Sequence, residues 1–202
     1  MNPALPLLAL LSLAAFPWRR REGAQAWIIF GLVATALLGP ALAIPDGLPS
    51  PSGMLRTVPP WADGGARPSH PDLLDLTFKI EPWMLFDRDE LRSARLPFWN
   101  PYQLAGAPHW ANGQAGTLHP FHLLFDLLPL SVGWSVLPWL RLMVGALGAF
   151  YLARALRVSR DGAILAGLVF TLCGRSVAFL LFPLANAACL APWVLLAVER
   201  LA

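Results

Sequence analysis

The sequence predicts an all-α integral membrane protein: about five hydrophobic helices and one large extracytoplasmic loop carrying amphipathic or interfacial helices. Three observations lead there. The 202 residues are 56% hydrophobic and only 13% charged, against roughly 25% charged in a soluble domain. The mean hydropathy is +0.55. The charge is also unevenly spread: residues 45–133 hold six basic and nine acidic side chains, and the rest of the chain nine basic and three acidic. No basic stripe suits nucleic acid, so positive-inside topology explains the basicity better.

The elements follow in order. A spanning helix needs about 20 apolar residues. Residues 3–18 are apolar but short, and Arg19, Arg20 and Arg21 after them mark a cytoplasmic face. The basic cluster follows the apolar run instead of preceding it, so this is a retained membrane segment and not a signal peptide. Residues 24–44 form the second span. Pro45 to Pro60, rich in Pro, Gly and Ser, leave the membrane. The next span covers 134–156 and ends in Arg154, Arg157 and Arg160, which two crossings return to the side of Arg19–Arg21. Residues 161–182 then go out, with Arg175 inside the run, and 185–200 come back toward Arg200. The chain thus divides into 1–44, N-terminal transmembrane segments; 45–133, an extracytoplasmic loop; and 134–202, further transmembrane helices. A loop that long is more than a connector. The chain stops directly after its last apolar segment, which points to the N-terminal part of a longer polytopic protein.

Within the loop, Leu73, Leu76, Ile80, Trp83 and Met84 recur at helical spacing, so 72–95 reads as an amphipathic helix. Pro82 should kink it or split it in two. Asp87, Arg88, Asp89, Glu90, Arg92 and Arg95 form its polar face. Residues 119–130 are apolar but too short to span, and suit a re-entrant or interfacial helix.

Several residues there carry chemistry. Asp72 and Asp75 sit on neighbouring positions of one helix face, and either is a candidate general base; Pro71-Asp72 equally suits an N-cap with a first-turn acid. Arg88, Arg92 and Arg95 share a helical side and could read phosphate, or form a solvated face paired with Asp87, Asp89 and Glu90. Residues 95–120, RLPFWNPYQLAGAPHWANGQAGTLHP, are polar and aromatic, punctuated by Gly and Pro. There Trp99 and Tyr102, with Trp83 and Trp110, either stack on sugar rings or belong to an interfacial belt. Asn100, Gln103, Asn112 and Gln114 offer the paired donors and acceptors that recognise hydroxyl-rich ligands, or cap turns. His70, His109, His119 and His122 all fall in the loop without metal-binding spacing, and read as solvated or interfacial. Cys173 and Cys189 read as small buried hydrophobes. No phosphate-cradling loop, nucleophile elbow, HExxH or CxxC occurs, and no metal or cofactor is implied.

Residues 75–129 resemble the YfhO-like family of bacterial membrane proteins. The resemblance rests on Asp75, on Pro82-Trp83, on LPFWNPYQLAGAP from Leu96 to Pro108, on ANGQ from Ala111 to Gln114, and on LLP from Leu127 to Pro129. That family is grouped with the GT-C polytopic glycosyltransferases. The resemblance implies a multi-pass enzyme of the bacterial inner membrane that moves a sugar from a polyprenyl-phosphate carrier to an extracytoplasmic acceptor. Asp75 matches the loop carboxylate and inherits the general-base role. The implied partners are a lipid-linked sugar donor, a cell-envelope glycan or lipid acceptor, and the membrane itself; nucleic acid is not among them. The alternatives are a non-catalytic membrane protein that binds glycan or lipid, and a transporter subunit.

Overall fold

The computed structural model describes residues 4–13, 21–43, 59–60 and 75–201. The described chain is mostly helical, and its residues fall into two compact units: Met1–Leu48 with Trp134–Ala202, and Pro49–Gly133.

Among its described residues the first unit contains three helices that are long and apolar enough to cross a membrane, against the five hydrophobic segments expected. They are α2 (Arg21–Ala43), α5 (Leu130–Ala155) and α8 (Leu184–Leu201). α1 covers Ala4–Leu13; the rest of the expected 3–18 span lies outside the described residues. α1 and α2 are tied by polar bonds between apolar faces. Ser12 Oγ lies 3.0 Å from Thr35 Oγ1, and Trp27 Nε1 donates to the Leu11 carbonyl at 3.0 Å. Such bonds hold helices together where the apolar surroundings offer no other partner. Trp139 Nε1 in α5 reaches the same Thr35 hydroxyl at 3.1 Å. Close packing recurs between α5 and α8: a Cβ at Gly148 would stand 2.7 Å from Trp193 Nε1, which donates to the Val144 carbonyl at 2.8 Å. Arg141, buried in α5, donates to Asn186 Oδ1 and to the Leu180 carbonyl, both at 2.7 Å. A cation in a spanning helix is tolerated only with such partners.

The expected span over 161–182 is not continuous. α6 runs from Arg160 to Leu172 and stops; Cys173 is extended (φ −63°, ψ 146°), and a five-residue α7 follows over Gly174–Ala178. Thirteen residues reach about 20 Å, short of a hydrocarbon core of about 30 Å. The break has a local cause: Ser176 Oγ donates to the Phe170 carbonyl at 2.7 Å, and Cys173 Sγ to the same carbonyl at 3.2 Å. Side chains that take up helix carbonyls compete with the next turn. Arg175 therefore sits exposed in α7 and not within a span. Cys189 is buried, as expected, and Cys173 only partly so.

In the second unit a π-helical turn, Leu76–Ile80, runs directly into α3 (Glu81–Arg92). Pro82 follows the π-helical turn directly, and the expected interruption is the change from π to α geometry. A two-stranded antiparallel hairpin follows, β1 (Trp99–Asn100) on β2 (Ala107–Pro108), pairing Trp99 with Pro108 and Asn100 with Ala107. This small β element departs from a purely helical reading. α4 (Pro120–Leu127) closes the unit, with the His119 ring accepting from Phe121 N at its start.

Candidate functional site

The candidate site is a cleft of about 450 Å³ in the second unit, between α3 and the hairpin. It falls within the roughly 300–1,000 Å³ of small-molecule sites. α3 builds it because it is amphipathic in an unusual way. Trp83, Met84, Asp87 and Arg88 are buried, an i, i+4 stripe that faces the unit's interior. Pro82, Phe86, Asp89, Glu90 and Ser93 line the cleft, opposite Asn100, Tyr102 and Gln103.

The two walls are connected. Trp83 Nε1 donates to Gln103 Oε1 at 2.8 Å. Phe86 and Tyr102 meet edge to face, centroids 6.2 Å apart. Arg95 donates to both Glu90 oxygens, at 2.9 and 2.6 Å. That bond holds the Glu90 carboxyl below its ordinary range and the Arg95 guanidinium above its own. The cleft thus combines aromatic faces, side-chain amides and two carboxylates, one held in an ion pair and one, Asp89, exposed on α3. Aromatic faces meet the apolar faces of sugar rings, and amides and carboxylates meet their hydroxyls.

The hairpin holds Tyr102 and Gln103 by turn chemistry. Asn100, buried, accepts from the Tyr102 N–H at 2.9 Å, an Asx-turn. Leu104 and Ala105 are left-handed, and Gly106 has φ +115°. A Cβ at Gly106 would lie 2.7 Å from the Trp99 ring. Gly106→Ala is therefore expected to destabilise the hairpin by ~1–3 kcal/mol, from backbone strain and overpacking together. Faster amide hydrogen exchange at residues 99–108 of the intact chain is the readout.

Behind the cleft lies a buried polar cluster. Asp87, 2% exposed, accepts from His109 Nε2 at 2.8 Å and from Thr117 Oγ1 at 2.9 Å. His109 packs edge-on against Phe86 with centroids 4.9 Å apart, so the cleft wall rests on the buried pair. His109 and His122 are each 2% exposed; the expectation of solvated or interfacial histidines fails for both. Arg88 donates to the carbonyls of Phe125 (3.1 Å) and Leu128 (2.6 Å), with its guanidinium 5.7 Å above the Phe125 ring. Arg92 Nε donates to the Asp126 carbonyl at 3.1 Å. Both arginines thus cap the C-terminus of α4, where orphan carbonyls and the helix dipole favour cations. Burial, with Arg92 alongside, pulls the Arg88 guanidinium below its ordinary value. Asp87 and Arg88 are interior and not part of a solvated face.

Asp126 Oδ2 is buried without a hydrogen-bond partner among the described residues. Burial first, and then the charge of Asp87, push its carboxyl from 3.8 up to about 7, against the pull of Arg88 and Arg92. Between those values the folded chain binds a proton that the unfolded chain releases, so stability falls as pH rises through that window. The fall amounts to at most about 4 kcal/mol, at 1.36 kcal/mol per unit. Urea unfolding from pH 4.5 to 7.5 should show it, and Asp126→Asn should flatten it.

The other expected site residues scatter. Asp75 opens the π-helical turn and pairs with Lys79 at 3.0 Å, with 61% of its side chain exposed; it does not line the cleft. Asp72 and His70 lie outside the described residues. Trp99 is 57% exposed and lies against Gly106. Asn112 Oδ1 accepts from the Gln114 N–H at 3.2 Å, a turn role away from the cleft. Of the expected set, Arg95, Asn100, Tyr102 and Gln103 come together. Sequence reasoning missed Phe86 and Asp89 as cleft residues, and Asp87, His109, Thr117 and Asp126 as a cluster. The signal for Asp87 and Arg88 was their i+4 spacing from Trp83 and Met84. Among the described residues no group of three or more His, Cys, Asp or Glu side chains is placed to hold a metal ion. No family model, no curated protein and no solved structure matches the chain.

Proposed function

We propose that the chain is a multi-pass glycosyltransferase of the bacterial inner membrane, resembling the YfhO-like family and GT-C enzymes. In this reading about five hydrophobic segments embed it, and residues 45–133 lie outside the cytoplasm. The cleft takes a sugar acceptor, and the donor is a polyprenyl-phosphate sugar. The observation that carries the proposal is the cleft: four aromatic side chains, two side-chain amides and the Asp89 and Glu90 carboxylates around one sugar-sized space. The acceptor hydroxyl attacks the anomeric carbon as the bond from that carbon to the donor's phosphate oxygen breaks; the polyprenyl phosphate leaves with the electron pair, and a carboxylate within hydrogen-bond reach takes the hydroxyl proton. Asp75 is the base by resemblance; Asp89 is the base by position.

The test is transfer itself. The full chain, reconstituted in liposomes with a radiolabelled polyprenyl-phosphate sugar and glycan acceptors, is expected to form a labelled product. A second reading, glycan binding without turnover, draws support from the exposed Asp75–Lys79 pair, which leaves the family's carboxylate engaged at the surface. Saturable glycan binding with no transfer would select it.

A further inference from the structure

The first unit holds a second and larger cleft, about 880 Å³, where the beginning of α2 meets the ends of α5 and α8. Its polar wall is Glu22, Arg154 and Arg200; its apolar wall includes Phe150, Trp193 and Leu196. The position of these residues along the helices is what matters. Arg154 lies in the last turn of the α5 span, which runs to Ala155, and Arg200 in the last turn of the α8 span, which runs to Leu201. Phe150 and Leu196 stand one turn further into the same helices. The cleft is therefore graded: cations at the depth where a spanning helix leaves hydrocarbon, apolar surface one turn below.

The aromatic residues fit that depth. Tyr151 and Trp193 pack with ring centroids 5.8 Å apart, and amphipathic rings concentrate at the headgroup level of bilayers. The cations are presented differently. Arg154 is held by Glu22 Oε2 at 3.2 Å and donates to the Val158 carbonyl at 2.7 Å, so its guanidinium is fixed at the rim. Arg200 is exposed, and no ion pair involves it among the described residues. Arg157 and Arg160 follow immediately after α5, also exposed. Glu22 offsets one charge, and the cleft still keeps an excess of positive charge.

We infer that this cleft binds the phosphate headgroup of an anionic phospholipid, with Arg154 and Arg200 on the phosphate and an acyl chain along Phe150, Trp193 and Leu196. Basic pockets between helices at the cytoplasmic face recognise such headgroups, and arginine offers phosphate a planar fork of donors. The inference rests on the first unit alone and is independent of sugar transfer.

The experiment uses the full chain in nanodiscs of phosphatidylglycerol, of phosphatidylcholine, and of mixtures, with retained lipid counted by native mass spectrometry. Phosphatidylglycerol is expected to be retained at least fivefold over phosphatidylcholine. Arg200→Gln should remove most of that preference, and the double change with Arg154→Gln all of it. Arg200 is exposed and makes no ion pair or side-chain hydrogen bond among the described residues, so the single variant keeps the fold and the test sharp. Arg160→Gln, a cation outside the cleft, should leave the preference unchanged. Equal retention of both lipids overturns the inference. So does an equal loss in Arg160→Gln, which would reduce the effect to diffuse attraction. Displacement of the lipid by millimolar inorganic phosphate would replace the lipid with a free anion, and likewise overturn it.

Discussion

Alanine at Asp87 is expected to cost the second unit ~2–6 kcal/mol, the range for leaving two buried hydrogen-bond donors unsatisfied. The cost comes from what stays behind. His109 Nε2 and Thr117 Oγ1 each lose the carboxylate oxygen they meet at 2.8 and 2.9 Å. Both residues are buried, at 2% and 8% exposure. Each orphaned donor costs ~1–3 kcal/mol. The bonds span 22 and 30 residues of chain, so they hold the hairpin and the start of α4 against α3. With the carboxylate gone, the support behind Phe86 goes too, and the cleft loses a wall. Asp87→Asn keeps the shape and one acceptor, and should cost less, ~1–3 kcal/mol. Hydrogen exchange in the intact chain reads the effect locally: amides of residues 98–128 should exchange faster in the alanine variant, while α5 and α8 stay protected. An unfolding midpoint within about 0.5 kcal/mol of wild type, the ordinary range for surface changes, would show that the cluster does not hold the unit together.

Asp87 also marks where the sequence was readable and where it was not. The apolar lengths of α2, α5 and α8 follow from hydrocarbon thickness, and composition alone reveals them. The break at Cys173 does not show there, because residues 163–182 are almost uniformly apolar. What stops the helix is a set of bonds from Ser176 and Cys173 to one carbonyl, that of Phe170. The hairpin escapes for a related reason: strands of two residues are too short to alternate. In α3, charge misled. Asp87 and Arg88 stand among Asp89, Glu90 and Arg92, and charged residues in a run are usually solvated. Their register with Trp83 and Met84 places them inside, and register outweighed residue type because each found a buried partner. The cleft was half legible. Asn100, Tyr102 and Gln103 were legible because turn residues, aromatics and amides crowd one short segment. Asp89 was not, because only the folded α3 turns it toward that segment.

Position separates the two carboxylates proposed for transfer. A general base must come within hydrogen-bond reach of the hydroxyl it activates. Asp89 borders the cleft. Asp75 does not, and a 3.0 Å ion pair with Lys79 engages it at the surface. Glu90 is held by two bonds from Arg95, which leaves Asp89 as the cleft carboxylate without such a bond among the described residues. Asp89→Asn is therefore expected to lower kcat by about 10²–10⁴, the usual range for a lost general base, with KM nearly unchanged. Asparagine keeps the size and polarity of an exposed side chain, so stability should hold within about 0.5 kcal/mol. Asp75→Asn should change kcat less than about tenfold, or ~1.4 kcal/mol of barrier. The inverse pattern, loss with Asp75 and tolerance at Asp89, would assign the base where the family resemblance puts it and move the reacting hydroxyl away from this cleft. Full turnover in both single variants and in the double variant would leave the acceptor proton without a loop carboxylate to receive it. Transfer would then stand with neither Asp75 nor Asp89 as its base, and the reacting hydroxyl would have to lie elsewhere than beside these two side chains.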